Sequence, residues 1–160
     1  MKDREYSLAF LLRGDEILLA LKKRGFGAGK LNGAGGKVEP GETIEQGMIR
    51  ECQEELTITP TTFHKVAYHD FILGTDTDQP WHQWAHVFIV TEWKGDPAET
   101  EEMAPDWVKL HAIPYDQMWD DDVHWLPLVL AGKLLDTTFT FDSDEHMLTK
   151  DIREVSGFHD

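Results

Sequence analysis

The sequence predicts a mixed α/β architecture in a single domain, and three observations carry that expectation. Paired apolar runs of strand length recur along the chain around turn residues, while one segment shows the capping and spacing of a helix. A stretch dense in glycine separates the first pair from that helix. Nothing repeats, and no linker or low-complexity segment divides the 160 residues, enough for one core without disulfide staples.

In chain order, Tyr6 to Arg13 and Glu16 to Leu21 are apolar runs around Gly14-Asp15, which reads as a hairpin. From Gly25 to Gly41 the chain carries Gly25, Gly27, Gly29, Gly33, Gly35, Gly36 and Gly41, a loop-rich region able to approach a ligand closely. Thr43 with Gln46 three residues later forms a capping-box pattern that predicts a helix to about Leu56. Met48, Cys52 and Leu56 recur every fourth position and supply its buried stripe. Phe63 to Leu73 and Gln83 to Trp93 predict another antiparallel pair. Trp107 to Leu110 reads as a short strand, and Met118, Trp119, Trp125, Leu126 and Leu130 after Pro114 read as helical. Thr138 to Phe141 and His146 to Ile152 form a closing hairpin around Asp142-Ser143-Asp144-Glu145.

Thirty acidic against 15 basic residues give a formal net charge of −15, which repels polyphosphate backbones and argues against nucleic acid as a partner. A phosphate substrate would need cations as intermediaries. The first residues lack the apolar stretch of a signal peptide and no run approaches a membrane span, so a soluble, cytoplasmic protein with no membrane partner is expected. Cys52 is the only cysteine, which excludes an intramolecular disulfide and a cysteine-based zinc site. His82 and His86 read as structural, and Lys22-Lys23-Arg24 as solvated surface or help for a phosphate. The oligomeric state is left open.

On the expected helix, Glu51, Glu54 and Glu55 lie at i, i+3 and i+4, so their carboxylates share a face. Their mutual repulsion is relieved by a hard divalent cation, and magnesium favours carboxylate oxygens while keeping places for water and phosphate oxygens. Arg50 is placed to neutralise or orient part of the cluster, and Glu42 to reach the same space. Taken alone, three glutamates are better read as a solvated face with ordinary ion pairs, because charge runs are usually solvated.

The spacing decides between them. Gly36, Glu42, Arg50, Glu51, Glu54, Glu55 and the terminal apolar Ile58 match the pattern of the Nudix box, which the segment GKVEPGETIEQGMIRECQEELTI resembles. At roughly 7% usage per residue type, six fixed positions coincide by chance with a probability on the order of 10⁻⁷ per start. Cys52 fills an apolar slot of that pattern, and Thr57 stands where glycine is usual, so the helix is expected to end differently.

KKRGFGAGKLNGAGGKVE (22–39), EEMAPDW (101–107) and MWDDDVHWLPL (118–128) extend the resemblance to the MutT-homologue branch, purine nucleoside triphosphatases that sanitise oxidised nucleotide pools. The resemblance implies a Nudix-type α/β/α sandwich with a mixed central sheet. It implies magnesium, with manganese as a substitute, held by Glu51, Glu54 and Glu55 near the Gly35 carbonyl and Glu102, and Glu55 or Glu51 activating water. For the nucleotide it implies Asn32, Phe26, Phe71, Trp119, Asp121 and Asp122, with Ser7, Lys22, Gly36 and Lys37 at the edge. Asp120-Asp121-Asp122 in isolation reads by default as a solvated turn or helix cap, but in a purine pocket two close carboxyls tend to share one proton, leaving one donor and one acceptor for a purine edge. Asp120 stands where relatives commonly carry proline. The implied reaction is hydrolysis of oxidised purine nucleoside triphosphates, such as 8-oxo-dGTP or 2-hydroxy-dATP, to monophosphate and pyrophosphate. The alternatives are another nucleoside diphosphate derivative as substrate, or a non-catalytic nucleotide-binding regulator.

Overall fold

Strands β1 (Arg4–Arg13) and β2 (Glu16–Lys22) join at Gly14-Asp15, as expected, but pair only beside the turn, Leu12 opposite Ile17 and Arg13 opposite Glu16. Further back, β1 pairs through Tyr6 to Ala9 with β4 (Ala34–Lys37), while β2 pairs with β3 (Leu31–Asn32) and along its whole length with β7 (Met103–Lys109). The hairpin therefore splays. The chain crosses from β3 to β4 at Gly33, where a Cβ would fall 2.4 Å from the Ala9 carbonyl oxygen, so only glycine fits.

The computed structural model describes residues 3–158. Beyond β1 the sheet continues through β6 (Trp81–Lys94), β5 (Thr59–Leu73), β8 (Leu134–Phe141) and β9 (Met147–Val155). The β1/β6 and β5/β8 pairs are parallel and the others antiparallel, so the sheet is mixed. One helix covers each face. α1 (Ile44–Leu56) buries Met48, Cys52 and Leu56 against Ala9, Leu11 and Val90, and α2 (Asp122–Leu130) buries Trp125, Leu126 and Val129 against Phe10, Val87 and Phe139. Alternation along β1 feeds both cores, because successive side chains point to opposite faces. This is the expected α/β/α sandwich.

α1 starts at the expected capping box: Gln46 N–H donates to Thr43 Oγ1 at 3.1 Å and Thr43 N–H to Gln46 Oε1 at 2.9 Å. Its end corrects the expectation drawn from the missing glycine. Thr57 itself adopts the left-handed conformation, φ 63°, and its N–H bonds the Gln53 carbonyl, so the terminus keeps the geometry that glycine would allow. A β-branched residue is strained there. Relief of about 1–2 kcal/mol, set against roughly 0.5–1 kcal/mol of added chain entropy, predicts that Thr57→Gly stabilises by about 0.5–1 kcal/mol, or roughly 1–4 °C in Tm. A lower Tm in a thermal melt would show that the Thr57 hydroxyl bond to the Asp96 carbonyl, 3.0 Å, dominates instead.

Four segments also differ from expectation. The glycine-dense segment contains β3 and β4, because its backbone pairs with β2 and β1. The strand expected at Trp107 to Leu110 is the longer β7, which ends at Lys109 as Leu110 opens a 3₁₀ turn. The helix after Pro114 starts only at Asp122: Tyr115–Gln117 is a 3₁₀ turn, and Met118 is extended at φ −116°, ψ 178°. His146 belongs to the closing turn, since Asp142 Oδ1 accepts the N–H groups of both Asp144 and His146.

Candidate active site

Where β1 and β2 splay, a cavity of about 920 Å³ opens, bounded by β1, β3, β4, the exposed face of α1 and the approach to α2. One end is acidic. The carboxylates of Glu51, Glu54 and Glu55 line it with Gly35, Gly36, Lys37, Lys22 and Glu102. The other end is aromatic, with Phe26, Phe71 and Trp119 beside Asn32, Asp121 and Asp122. Ser7 lies between them on β1, opposite Gly36.

The helical spacing fixes the acidic end. Glu55 is 5% exposed and accepts the Gly35 N–H at 2.8 Å; burial pushes its carboxyl up to about 7, against the pull of that bond. Glu51 is also raised by burial, opposed by Arg50. Arg50 does not line the cavity but braces it, donating to Glu51 at 2.9 Å, to Glu54 at 3.3 Å, to Glu42 at 2.7 and 3.0 Å, and to the Lys37 carbonyl at 2.9 Å. Glu42 is thereby held below the usual carboxylate range and serves as a brace, outside the cavity lining. Glu102 lines the cavity but is tied to Arg24 at 2.5 and 3.0 Å, a partner that lowers its pKa.

The donor set suits a hard divalent cation. Gly36 leaves the space that such an ion and a phosphate would need, since a Cβ there would lie 2.6 Å from Glu51 Oε1 and 2.7 Å from its carboxyl carbon. Carboxylate oxygens crowded in a poorly solvated cleft gain most from a shared counter-charge. Among the described residues, Asp142, Asp144 and His146 form a separate group of potential ligands at the β8/β9 turn, outside the cavity.

At the aromatic end, Phe26 lies 5.2 Å from Trp119 and 6.5 Å from Trp81, ring centre to ring centre, and is 39% exposed, so it forms a partly open wall. Asn32 lines the cavity, and its Oδ1 accepts the Gly33 N–H at 2.8 Å. The three aspartates separate sharply. Asp121 and Asp122 are each 2% exposed, whereas Asp120 Oδ2 accepts the Met147 N–H at 3.0 Å and ties the loop to β9. That bond supplies restraint where a proline is absent. Asp121 Oδ2 accepts the Trp125 indole N–H at 2.7 Å, while Asp122 Oδ2 has no hydrogen-bond partner among the described residues. Burial raises both acids, and the neighbouring Asp121 charge raises Asp122 further, so one proton shared by the pair is favoured at neutral pH.

The histidines are structural, as expected: His82 Nδ1 meets Asp70 at 2.6 Å and His86 Nε2 meets Glu5 at 2.9 Å. Sequence reasoning missed Arg24, Leu73, Gln83 and Phe141 as cavity residues. Leu73 and Phe141 could have been found from the period of two that starts at Phe71 and Phe139, while Gln83 required the register that sets it opposite Phe71.

A NUDIX domain model matches residues 2–129. The chain is 42% identical over 156 residues to the oxidized purine nucleoside triphosphate hydrolase of Mus musculus, covering 97% of each protein. It is 40% identical over 149 residues to the protein of the same name from Danio rerio, covering 93% of this chain and 94% of that one. The MutT protein of Bacillus halodurans has the same fold, with a TM-score of 0.81 at 24% identity over 93% of this chain and 97% of the other. With the box carboxylates gathered on one helix face and a family match over most of its length, the chain belongs to the Nudix hydrolase family.

Proposed function

We propose that the protein is a magnesium-dependent pyrophosphohydrolase of oxidised purine nucleoside triphosphates, clearing such nucleotides from the cytoplasmic pool as one Nudix domain. The observation that carries this reading is one cavity with carboxyls at both ends, the box glutamates with buried Glu55 at one and a buried acid pair among aromatic rings at the other. The names of the mouse and zebrafish relatives support it, and so does a net charge of −15, which disfavours nucleic acid as substrate. No helix among the described residues is long and apolar enough to cross a membrane.

Nudix hydrolases use divalent cations. Here Glu51, Glu54 and Glu55 would hold the ion, with Gly35 and Glu102 at its edge, and magnesium suits these oxygens better than a softer metal. When bound it supplies positive charge against the phosphate oxygens. The chain's own residues do the rest. Glu55, near the neutral range in its buried position, accepts the proton of the attacking water, with Glu51 as the alternative acceptor. Water oxygen bonds to the β-phosphorus, the bridging bond to the α-phosphate oxygen breaks, and the products are nucleoside monophosphate and pyrophosphate. Lys22, Ser7, Gly36 and Lys37 border the phosphates, and Arg50 keeps Glu51 and Glu54 from splaying apart. Trp119, Phe26 and Phe71 offer stacking surfaces, each such contact contributing roughly 1–3 kcal/mol, and Asn32, Asp121 and Asp122 offer hydrogen bonds to the base.

The test is kcat/KM for 8-oxo-dGTP, 2-hydroxy-dATP, their unmodified parents and ADP-ribose at one magnesium concentration, with the products analysed. Preference for the oxidised triphosphates with release of pyrophosphate is expected. Faster cleavage of ADP-ribose would make this a hydrolase of another diphosphate derivative, and binding without turnover a nucleotide-binding regulator.

A further inference from the structure

Behind the acid pair sits a histidine that the hydrolytic mechanism does not use. On β5, the inward row reads Ala67, His69, Phe71 and Leu73, apolar apart from His69, which has no exposed surface at all. Its partner in the parallel ladder is Thr137, the polar member of the β8 row Leu135, Thr137, Phe139 and Phe141. The two polar residues meet: His69 Nδ1 lies 2.6 Å from Thr137 Oγ1. Whichever nitrogen carries the proton, Nε2 has no hydrogen-bond partner among the described residues.

An unspent polar atom in a dry core destabilises the fold, and an apolar side chain of similar size would remove that cost. Burial holds the imidazole neutral, its pKa pushed down to about 3. What the ring does contribute is position. Its centre lies 4.4 Å from that of Trp125 at an interplanar angle of 61°, an edge-on contact of two flat, rigid groups. Trp125, also fully buried, is the residue whose indole N–H reaches Asp121 Oδ2 at 2.7 Å. Phe10 closes another side of the indole, 6.0 Å centre to centre. A continuous line of contacts thus runs from Thr137 through His69 and Trp125 to Asp121, whose neighbour Asp122 also lines the cavity and has a buried oxygen without a partner among the described residues.

We propose that His69 is a positioning residue for base recognition: fixed by Thr137, it sets the Trp125 indole so that its N–H stays on Asp121. The bond favours the ionised form of Asp121 and so leaves the shared proton on Asp122, which makes Asp122 the donor and Asp121 the acceptor presented to a base. A flexible aliphatic group in place of the imidazole would fill the space but let the indole rock, and the acid pair would lose its fixed order of donor and acceptor. This inference rests on the assignment of Asp121 and Asp122 to the base.

The test is steady-state kinetics of His69→Leu, His69→Phe, Thr137→Val and the double variant His69→Leu/Thr137→Val, with melting temperatures measured alongside. For His69→Leu, KM for 8-oxo-dGTP should rise about tenfold, the scale of one weakened hydrogen bond to a charged group, with kcat within twofold; Tm should fall as the buried Thr137 hydroxyl loses its partner and recover in the double variant. Thr137→Val should raise KM less, and the double variant should match His69→Leu, because Thr137 acts only through His69. A pyrimidine triphosphate should keep its wild-type KM in every variant. His69→Phe keeps a flat ring against the indole without the Thr137 bond, so it should match Thr137→Val, and this pair carries the test where the leucine variant folds poorly. The proposal falls if KM for the purine stays within twofold in folded variants, if the two substitutions add independently, or if purine and pyrimidine substrates suffer alike. A wild-type protein indifferent to the base would overturn the assignment of the acid pair itself, a result distinct from any of these.

Discussion

Glu55→Gln is expected to lose at least about 100-fold in metal-dependent kcat, the scale of a missing positioned acid–base group, while remaining folded. Glutamine has nearly the shape of glutamate, and its carbonyl oxygen can still accept the Gly35 N–H that Glu55 accepts at 2.8 Å. What disappears is the negative charge and the ability to take a proton from water. Glu51→Gln should lose a comparable factor, with one more consequence: Arg50 forfeits a charged partner at 2.9 Å but keeps Glu42 and the Lys37 carbonyl, so the helix face should hold its shape. Pyrophosphate release under saturating magnesium, with circular dichroism as the check on folding, decides the matter. Near-wild-type turnover in both folded variants would remove α1 as the catalytic platform.

The second large effect concerns the base. Guanine presents an oxygen acceptor beside two nitrogen donors, so a protonated carboxyl facing the oxygen and an ionised one facing the donors satisfy that edge. Removing the protonated Asp122 carboxyl leaves the base oxygen unsatisfied in a buried site, at a cost of roughly 1–3 kcal/mol, which predicts about a 5- to 150-fold fall in kcat/KM for Asp122→Ala. Because 8-oxoguanine shares the edge, both guanine triphosphates should suffer comparably, and a pyrimidine triphosphate much less. Magnesium affinity should be unchanged, as the acid pair lies at the opposite end of the cavity from the box glutamates. Equal losses for purine and pyrimidine, or unchanged purine kinetics in both Asp121→Ala and Asp122→Ala, would refute the assignment.

What could be read from the sequence was what local chemistry determines. The Thr43/Gln46 capping box located the start of α1, and the spacing of Glu51, Glu54 and Glu55 put three carboxylates on one face because a helix has a fixed period. Gly14 marked the first hairpin for the same reason. What could not be read depends on partners distant in the chain. The parallel pairing of β1 with β6 and of β5 with β8 has no local signature, so the sheet order was invisible, and with it the placement of Gln83 in the cavity. The tie between Arg24 and Glu102 spans 78 residues. Asp121 and Asp122 look like any acidic turn until packing leaves each 2% exposed, and His69 looks like a surface histidine until the strand register turns it inward.

The two cores on opposite faces of the sheet bear on how such a chain can change over time. The glutamate helix rests on one, and the acid pair with its indole rests on the other, with β1 sending alternate side chains to each. If the proposed assignments hold, substitutions that reshape the α2 side can therefore alter which base is admitted without disturbing the glutamates on α1. After gene duplication, one copy is free to drift toward a new nucleobase while inheriting a working hydrolytic centre. The strand shared by both cores is where that independence ends, so residues such as Ala9 and Phe10 should change least among descendants whose substrates have diverged.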